Sequence, residues 1–404
     1  MKILQLTKKF PYPVKDGEVI GIINLTIGFH ANGHEVHVLS LNTNKHHFDI
    51  AKLPAEISQI ATFKAIDINT DINVFDAFVN LFTSKSYNVE RFYSVDYAQI
   101  LYQTIINEKF DFILLEGIYL MRYIDVIRQA QKDSEFNKNV PVVQRPHNVE
   151  YIIWQRLADA ETKILKKWYL RFLAKRMKQF ELDMINKADI LIPVSQTDLD
   201  IFSKHGCKLP SKALPIGYVF DDLPEIADAE SNSVAFIGGM DWMPNREGLV
   251  WFIEKVWPLV LDENPDARFY LAGRNFPDEI KNLKIKGLYI IGEVDDAKTF
   301  VMQHAVSIVP LFAGSGMRVK IVEAMAWGRA IVSTSIGAES LYYTHEKDIL
   351  IADDAESFAK EIIKVLSSKK TRLELGKNAQ ELIRQKYDNR KISSAIVDFI
   401  KSLS

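Results

Sequence analysis

Short runs of apolar and β-branched residues recur along the chain, separated by stretches with helical patterning. A first series reads KILQL (2–6), EVHVLSL (35–41), DFILLEG (111–117), VPVVQRP (140–146) and ADILIPVS (188–195). A second reads SVAFIGG (233–239), ARFYLAG (267–273), LYIIGEV (288–294), AVSIVPL (305–311), RAIVSTS (329–335) and DILIAD (348–353). The runs are nearly continuous in apolar residues instead of alternating with polar ones. Strands buried on both faces of a parallel sheet have that pattern. Intervening segments such as NREGLVWFIEKVWPLVLDENP (245–265) carry helical periodicity. Strands alternating with helices give an α/β class with doubly wound parallel sheets.

A chain of 404 residues is too long for one ordinary core. The two series divide at PIGYVFDDLPEIADAESN (215–232), an acidic, proline-containing segment that reads as a linker. The expected domains are 1–215 and 220–387, with a helix at 388–404 available to pack back on the first. Open parallel sheets bind ligands outside the carboxyl ends of their strands. Two such domains side by side suit a ligand with two halves, or two substrates. A formal net charge of −2 argues against general nucleic-acid binding. The lone cysteine, Cys207, forms no internal disulfide and fits a reducing compartment. The opening MKILQLTKKFPYP does not read as a secretory leader, and no stretch approaches the roughly 20 apolar residues of a membrane span. A cytoplasmic location is expected.

The stretch AGSGMRVKIVEAMAWG (313–328) sets a puzzle: a loop of small residues turns into a helix whose first turn carries Arg318 and Lys320. The start of a helix is partially positive and favours anions, so each cation there costs about 0.3–1 kcal/mol. The placement makes sense if a diphosphate sits on the free N–H groups of the helix start, with Gly314, Ser315 and Gly316 allowing close approach and Ser315 capping the helix. Glu323 would repel phosphate. A ribose diol, which donates two hydrogen bonds, is its natural partner. Met317, Ile321, Ala324 and Met325 form an apolar face. Taken alone, the same residues also read as a Lys–Glu surface pair on an amphipathic helix.

GSGMRVKIVEAMAWGRAIVSTSIGAESL resembles the nucleotide-sugar motif of glycosyltransferase family 4. The resemblance extends through FIGGMDWMPNREGLVWFIEKVWPLV, LAGRNFP and IIGEVDD, and upstream through FPYPVKDGEVIGIINLTIGFHANGHEVHVLSL, FDFILLEGIYL and QRPHNVE. It implies the GT-B architecture: two Rossmann-like doubly wound domains facing a central cleft, the first for the acceptor and the second for the donor. It implies a retaining, metal-independent glycosyltransferase, hexosyl or related, without a cofactor. The donor would be a nucleoside diphosphate sugar, UDP- ahead of GDP-. The acceptor would be a hydroxyl on a glycan, lipid-linked or protein-linked molecule, in bacterial-type surface glycan or glycoconjugate synthesis. By this resemblance Glu323 holds the donor ribose, while Arg318 and Lys320 meet the phosphates and assist their departure. Gly314, Ser315 and Gly316 form the donor loop, with Ser315 standing where the family often has an acid. Arg246 remains, at a shifted spacing, from an Arg/Lys pair after the second domain's first strand. Glu293 and Val294 lie against the base, Gly17 lets the first loop close near the phosphates, and His147 faces the transferring sugar.

The residues also carry plainer readings. Gly17 follows Asp16 and can be a simple turn glycine. His147 follows Pro146, which makes the position rigid. His30, His34, His37 and His46 show no metal-ligand spacing and read as surface or packing residues. Asp198 and Asp200 form a D-x-D, but on a helix they point apart, so no metal site is expected. In KILKKWYLRFLAKRMKQFE (163–181), Lys163, Lys167 and Arg171 recur at four-residue spacing beside Leu165, Trp168, Tyr169, Phe172, Met177 and Phe180. That segment is either a helix packed on the first domain with a solvated basic face, or a peripheral membrane contact. Two rival functions stay open: a nucleotide-sugar epimerase or hydrolase on the same architecture, and an inactive donor-binding subunit.

Overall fold

The computed structural model describes every residue except 15, 72, 74–78, 81, 84, 220–222, 228, 314–315 and 404. The chain divides into two units. The first comprises Met1–Val219, Ser315–Met317 and Asn389–Ser404, the second Phe220–Gly314 and Arg318–Asp388.

The first unit is built on a six-stranded sheet of order β3-β2-β1-β4-β5-β6. Its strands are β1 (Lys2–Thr7), β2 (Glu35–Thr43), β3 (Thr62–Ile68), β4 (Phe112–Glu116), β5 (Val142–Arg145) and β6 (Ile190–Leu191). All pairings are parallel. Successive side chains of a strand point to opposite faces, and both faces are buried. Leu4, Leu6, Leu39, Leu41, Ile113 and Leu115 fill one side. Ile3, Val36, Val38, Phe112 and Leu114 fill the other. β3 escapes the sequence reading because TFKAIDI alternates: Thr62, Lys64 and Asp67 are exposed while the residues between them are half-buried. It is an edge strand only partly covered on each face, with Ile66 and Ile68 packed toward one core and Phe63 toward the other, so it lacks a continuous apolar run.

Helix α1 (Gly17–Ala31) starts at Asp16, whose carboxylate accepts the N–H groups of Glu18 and Val19. Helix α2 (Glu150–Ala160) starts differently. The Glu181 carboxylate accepts its first N–H groups, from Glu150 at 3.0 Å and Tyr151 at 2.7 Å. Helix α3 (Ile164–Met184) supplies that glutamate.

The second unit repeats the design. Its sheet has the order β12-β11-β10-β7-β8-β9. The strands are β7 (Glu230–Ile237), β8 (Arg268–Ala272), β9 (Leu288–Gly292), β10 (His304–Val309), β11 (Ala330–Ser333) and β12 (Leu350–Ile351), again all parallel. The segment read as a linker over 215–232 therefore yields its last three residues to β7. The long helical stretch at 245–265 is three pieces: α4 (Met243–Trp251), a wider π-type turn over Phe252–Val256, and Trp257–Glu263. Pro258 has no N–H to donate, and the wide turn absorbs its ring.

Helix α5 (Val319–Ala326) follows β10 in this unit. Helix α6 (Asn389–Lys401) returns to the first unit. Ile392, Ile396, Val397 and Ile400 line one face of it and join the core formed with Leu25 and Phe29 of α1. Burying such a side chain contributes about 1.5–3 kcal/mol, enough to hold this terminal helix in place.

Candidate active site

In both sheets the strand order reverses beside the first strand, between β1 and β4 and between β7 and β10. Crevices for ligands open at the carboxyl ends of strands at such reversals. The residues singled out from the sequence lie at these ends or on the loops and helices that follow them.

In the second unit, α5 begins at Val319 with Arg318 in the N-cap position, and the Arg318 side chain makes no capping bond. The cap expected from Ser315 falls outside the described residues. Gly314 and Ser315 lie outside the described residues, and Gly316 adopts φ +77°, a left-handed conformation that suits glycine. Met317, Ile321, Ala324 and Met325 are buried. Arg318 is only 7% exposed, with its guanidinium 5.4 Å from the centre of the Trp242 ring. The Lys320 ammonium donates to Asn245 Oδ1 at 2.9 Å and stands 4.8 Å from the Phe236 ring centre. Among the described residues no carboxylate lies within ion-pair distance of Lys320. Burial, with Arg318 beside it, pushes the Lys320 ammonium down to about 7. Burial alone pushes Glu323 up to about 7. Two neighbouring cations at the start of a helix, with no carboxylate in ion-pair reach of Lys320, suit an anion.

Backbone approach sets this geometry. A Cβ on Gly248 would fall 1.7 Å from the Pro310 carbonyl oxygen, so only glycine lets α4 press against the loop after β10. That contact brings Asn245 of α4 to Lys320 of α5, and the Asn245 amide donates to Gly239 O at 3.0 Å. The remaining donor candidates are spread around the same edge. Arg246 gives its guanidinium to Glu279 at 2.6 Å. Glu293 is exposed and Val294 half-buried, just past the end of β9.

In the first unit, His147 follows β5 and is 8% exposed. Its Nε2 stands 2.7 Å from Glu116 Oε2, at the end of β4. A carboxylate only accepts, so the ring carries a proton on Nε2. Glu116 is fully buried and takes a second bond, from Gln5 Nε2 at 2.8 Å. Thr26 in turn donates to Gln5 at 2.8 Å. Arg145 Nε lies 3.9 Å from Glu116 and balances its charge, while the guanidinium also donates to Leu214 O and Pro215 O. The network fixes the imidazole in one orientation. Gly17 opens α1, and the loop before it is tied down by charge. Lys9 contacts Asp16 at 2.8 Å and Glu18 at 3.1 Å, and Lys8 contacts Glu18 at 3.3 Å. Against the opposing effect of burial, Lys8, Lys9 and His147 hold the Glu18 carboxyl down at about 2.

Glu116 and Asn245 were not singled out from the sequence. Glu116 was legible in principle, as a carboxylate closing the otherwise apolar run DFILLE. Asn245 was not, because its bond to Lys320 spans 75 positions. Asp198 is buried and Asp200 exposed on one helix, so they do not converge. Among the described residues, His345, Glu346 and Glu361 bring potential ligand atoms within 4.8 Å of one another. Both acids there pair with Lys364.

The sequence profile of the family described as Glycosyl transferases group 1 matches residues 231–368. A Klebsiella pneumoniae protein, described as an uncharacterized 44.6 kDa protein in the cps region, is 30% identical over 302 residues, covering 72% of this chain and 74% of its own length. The chain belongs to the group 1 glycosyl transferases. A phosphatidyl-myo-inositol mannosyltransferase of Mycolicibacterium smegmatis is 28% identical over 198 residues, 45% of this chain and 50% of that one. Among solved structures, Anabaena HepE in complex with UDP matches with a TM-score of 0.64 at 14% identity, over 100% of both chains. Sucrose-phosphate synthase of Thermosynechococcus elongatus matches at 0.71 and 15% identity, over 100% of this chain and 99% of that one. At such identities the likeness is one of fold, and the fold is GT-B. The protein is thus a glycosyltransferase with a nucleotide-sugar architecture. No described helix is long and apolar enough to cross a membrane.

Proposed function

We propose that this glycosyltransferase transfers a sugar with retention from a nucleoside diphosphate donor, UDP-linked, to an acceptor hydroxyl in surface glycan or glycoconjugate synthesis. The observation that carries the donor assignment is the cation pair Arg318 and Lys320, without a counterion for Lys320, on the helix that also bears Glu323. UDP in the HepE structure supports the choice of base. In this reading the second unit binds the donor and the first the acceptor. The bond from the anomeric carbon to the β-phosphate oxygen breaks, and the acceptor oxygen bonds to that carbon on the same face. The acceptor proton passes to the departing phosphate oxygen. Arg318 and Lys320 offset the negative charge that develops there. Glu116 is buried and held by Gln5 and His147, so it orients the histidine and is no nucleophile.

A screen of nucleoside diphosphate sugars for nucleotide release, with and without candidate acceptors, tests the reading. Nuclear magnetic resonance of the product's anomeric centre then tests retention. Turnover that never requires an acceptor would favour an epimerase or hydrolase, and donor binding without any turnover an inactive subunit. Because side-chain cations meet the diphosphate, activity is expected to persist in excess EDTA. Loss restored by Mg²⁺ or Mn²⁺ would overturn this.

A peripheral membrane contact through 163–181 is favoured by one observation. The start of α3 leaves Ile164, Leu165 and Trp168 at 83%, 85% and 61% exposure. The far half of the face is not available, because Met177 is fully buried in the core. The basic stripe is partly neutralised, since Lys166 pairs with Glu161 and Arg171 with Asp159. Apolar insertion should therefore matter more than charge. Wild-type protein is expected to co-sediment with anionic vesicles at low salt, and Leu165→Ser/Trp168→Ser to lose most of that binding. Wild type that ignores the vesicles would sink the idea.

A further inference from the structure

Beyond the carboxyl ends of β1, β2 and β3, the first unit holds a cavity of about 550 Å³. That is within the usual range for a small-molecule site, roughly 300–1,000 Å³. Its wall carries four permanent cations, Lys8, Lys9, Lys45 and Arg91, against the carboxylates Glu18 and Asp71. Lys8 and Lys9 share Glu18, and Lys9 also holds Asp16. Lys45 and Arg91 have no carboxylate within ion-pair distance among the described residues. Arg91 donates to Thr70 O at 3.3 Å, and its buried Nε has no hydrogen-bond partner. His46, read from the sequence as a surface or packing residue, also lines this wall.

The cavity has an aromatic wall as well. Phe92 and Tyr119 sit with ring centres 5.0 Å apart. The Lys8 ammonium stands 4.2 Å from the Tyr119 ring centre, and the Arg91 guanidinium 5.4 Å from that of Phe92. Each ring face therefore steadies a cation at the cavity edge. Aromatic rings offer a surface to the apolar face of a sugar, and cations beside them attract anionic oxygens.

We propose that this cavity binds the acceptor, and that the acceptor is a sugar carrying an anionic oxygen group, phosphoryl or carboxylate. The inference rests on the transferase reading and names the substrate class of its acceptor site. A neutral sugar would leave Lys45 and Arg91 unmatched. An anionic one lets both form charge-assisted bonds, and the pocket then selects by charge as well as by shape.

Calorimetry with three probes tests the proposal: glucose 1-phosphate, glucuronic acid and methyl glucoside, each in the presence of UDP. Wild type is expected to bind at least one charged probe about tenfold more tightly than the neutral one, with affinity falling as salt rises. The stronger of the two identifies the phosphoryl or carboxylate source. Lys45→Ala and Arg91→Ala should each remove most of that preference. Both residues are chosen because Lys9 supports the start of α1 and its loss would disturb the fold. UDP affinity should stay at the wild-type value in both variants, which separates this test from that of the donor site. Equal binding of charged and neutral probes by a UDP-binding wild type would overturn the proposal. So would a charge preference that survives in the Lys45→Ala/Arg91→Ala double variant.

Discussion

Replacing Lys320 by methionine is expected to weaken UDP binding about 10- to 100-fold while leaving uridine binding unchanged. A bond between charged groups is worth about 1.5–3 kcal/mol, and only the phosphates would feel its loss. Arg318→Ala should behave alike, whereas Glu323→Gln should weaken both ligands by a similar factor, since both carry the ribose. The ligand-free protein should respond in the opposite direction. Lys320 sits near 7 in the folded chain against an ordinary 10.5, so between those values the unfolded chain binds more protons and stability rises with pH. Glu323 sits near 7 against an ordinary 4.5, so the folded chain binds more protons in that window and stability falls as pH rises through it. Both charges thus oppose folding around neutrality. The depression at Lys320 corresponds to about 3–5 kcal/mol, and the lost bond to Asn245 costs about 1. The methionine variant should therefore gain about 2–4 kcal/mol and melt several degrees higher at pH 7. Proton linkage gives a further readout. At pH 8 the free Lys320 is mostly neutral, so UDP binding should draw close to a full proton, measurable in buffers of different ionisation heat and absent in the methionine variant. Equal losses for UDP and uridine would remove this helix start from the donor site.

His147→Ala is expected to lower turnover about 100-fold or more while the affinity for UDP stays at the wild-type value. A contact made to the reacting sugar acts on positioning and developing charge, and small misplacements there carry losses of about that size. Glu116→Gln keeps the shape of the carboxyl group but removes its charge from beside Arg145. Breaking such a buried pair costs about 3 kcal/mol, so this variant should melt earlier as well as turn over more slowly. If Glu116 acts by orienting His147, the double variant should be no slower than His147→Ala alone. A double variant with clearly additive losses would give Glu116 an independent role. A single His147→Ala variant that keeps most of its rate would remove the histidine from the catalytic site.

The sequence by itself determined the class of fold. Runs such as VAFI and FILL are apolar at every position because both faces of a parallel sheet are covered, and that constraint is local enough to read residue by residue. It also determined which helix start carries Arg318, Lys320 and Glu323, since their spacing is covalent. It could not show β3, because this edge strand is only partly covered on each face and exposed Thr62, Lys64 and Asp67 interrupt its apolar residues. Nor could it show that α5 starts at Val319 with Arg318 as its N-cap, since where the first helical bond closes depends on the folded surroundings. Only the tertiary structure decided what each charge meets. Glu116 lies 31 residues from His147, and Asn245 lies 75 from Lys320. Such partners are chosen by how strand ends and helices pack, down to the 1.7 Å that excludes any side chain at Gly248. Burial then moves Lys320 and Glu323 to about 7, and burial is a property of the folded surroundings that no spacing along the chain encodes.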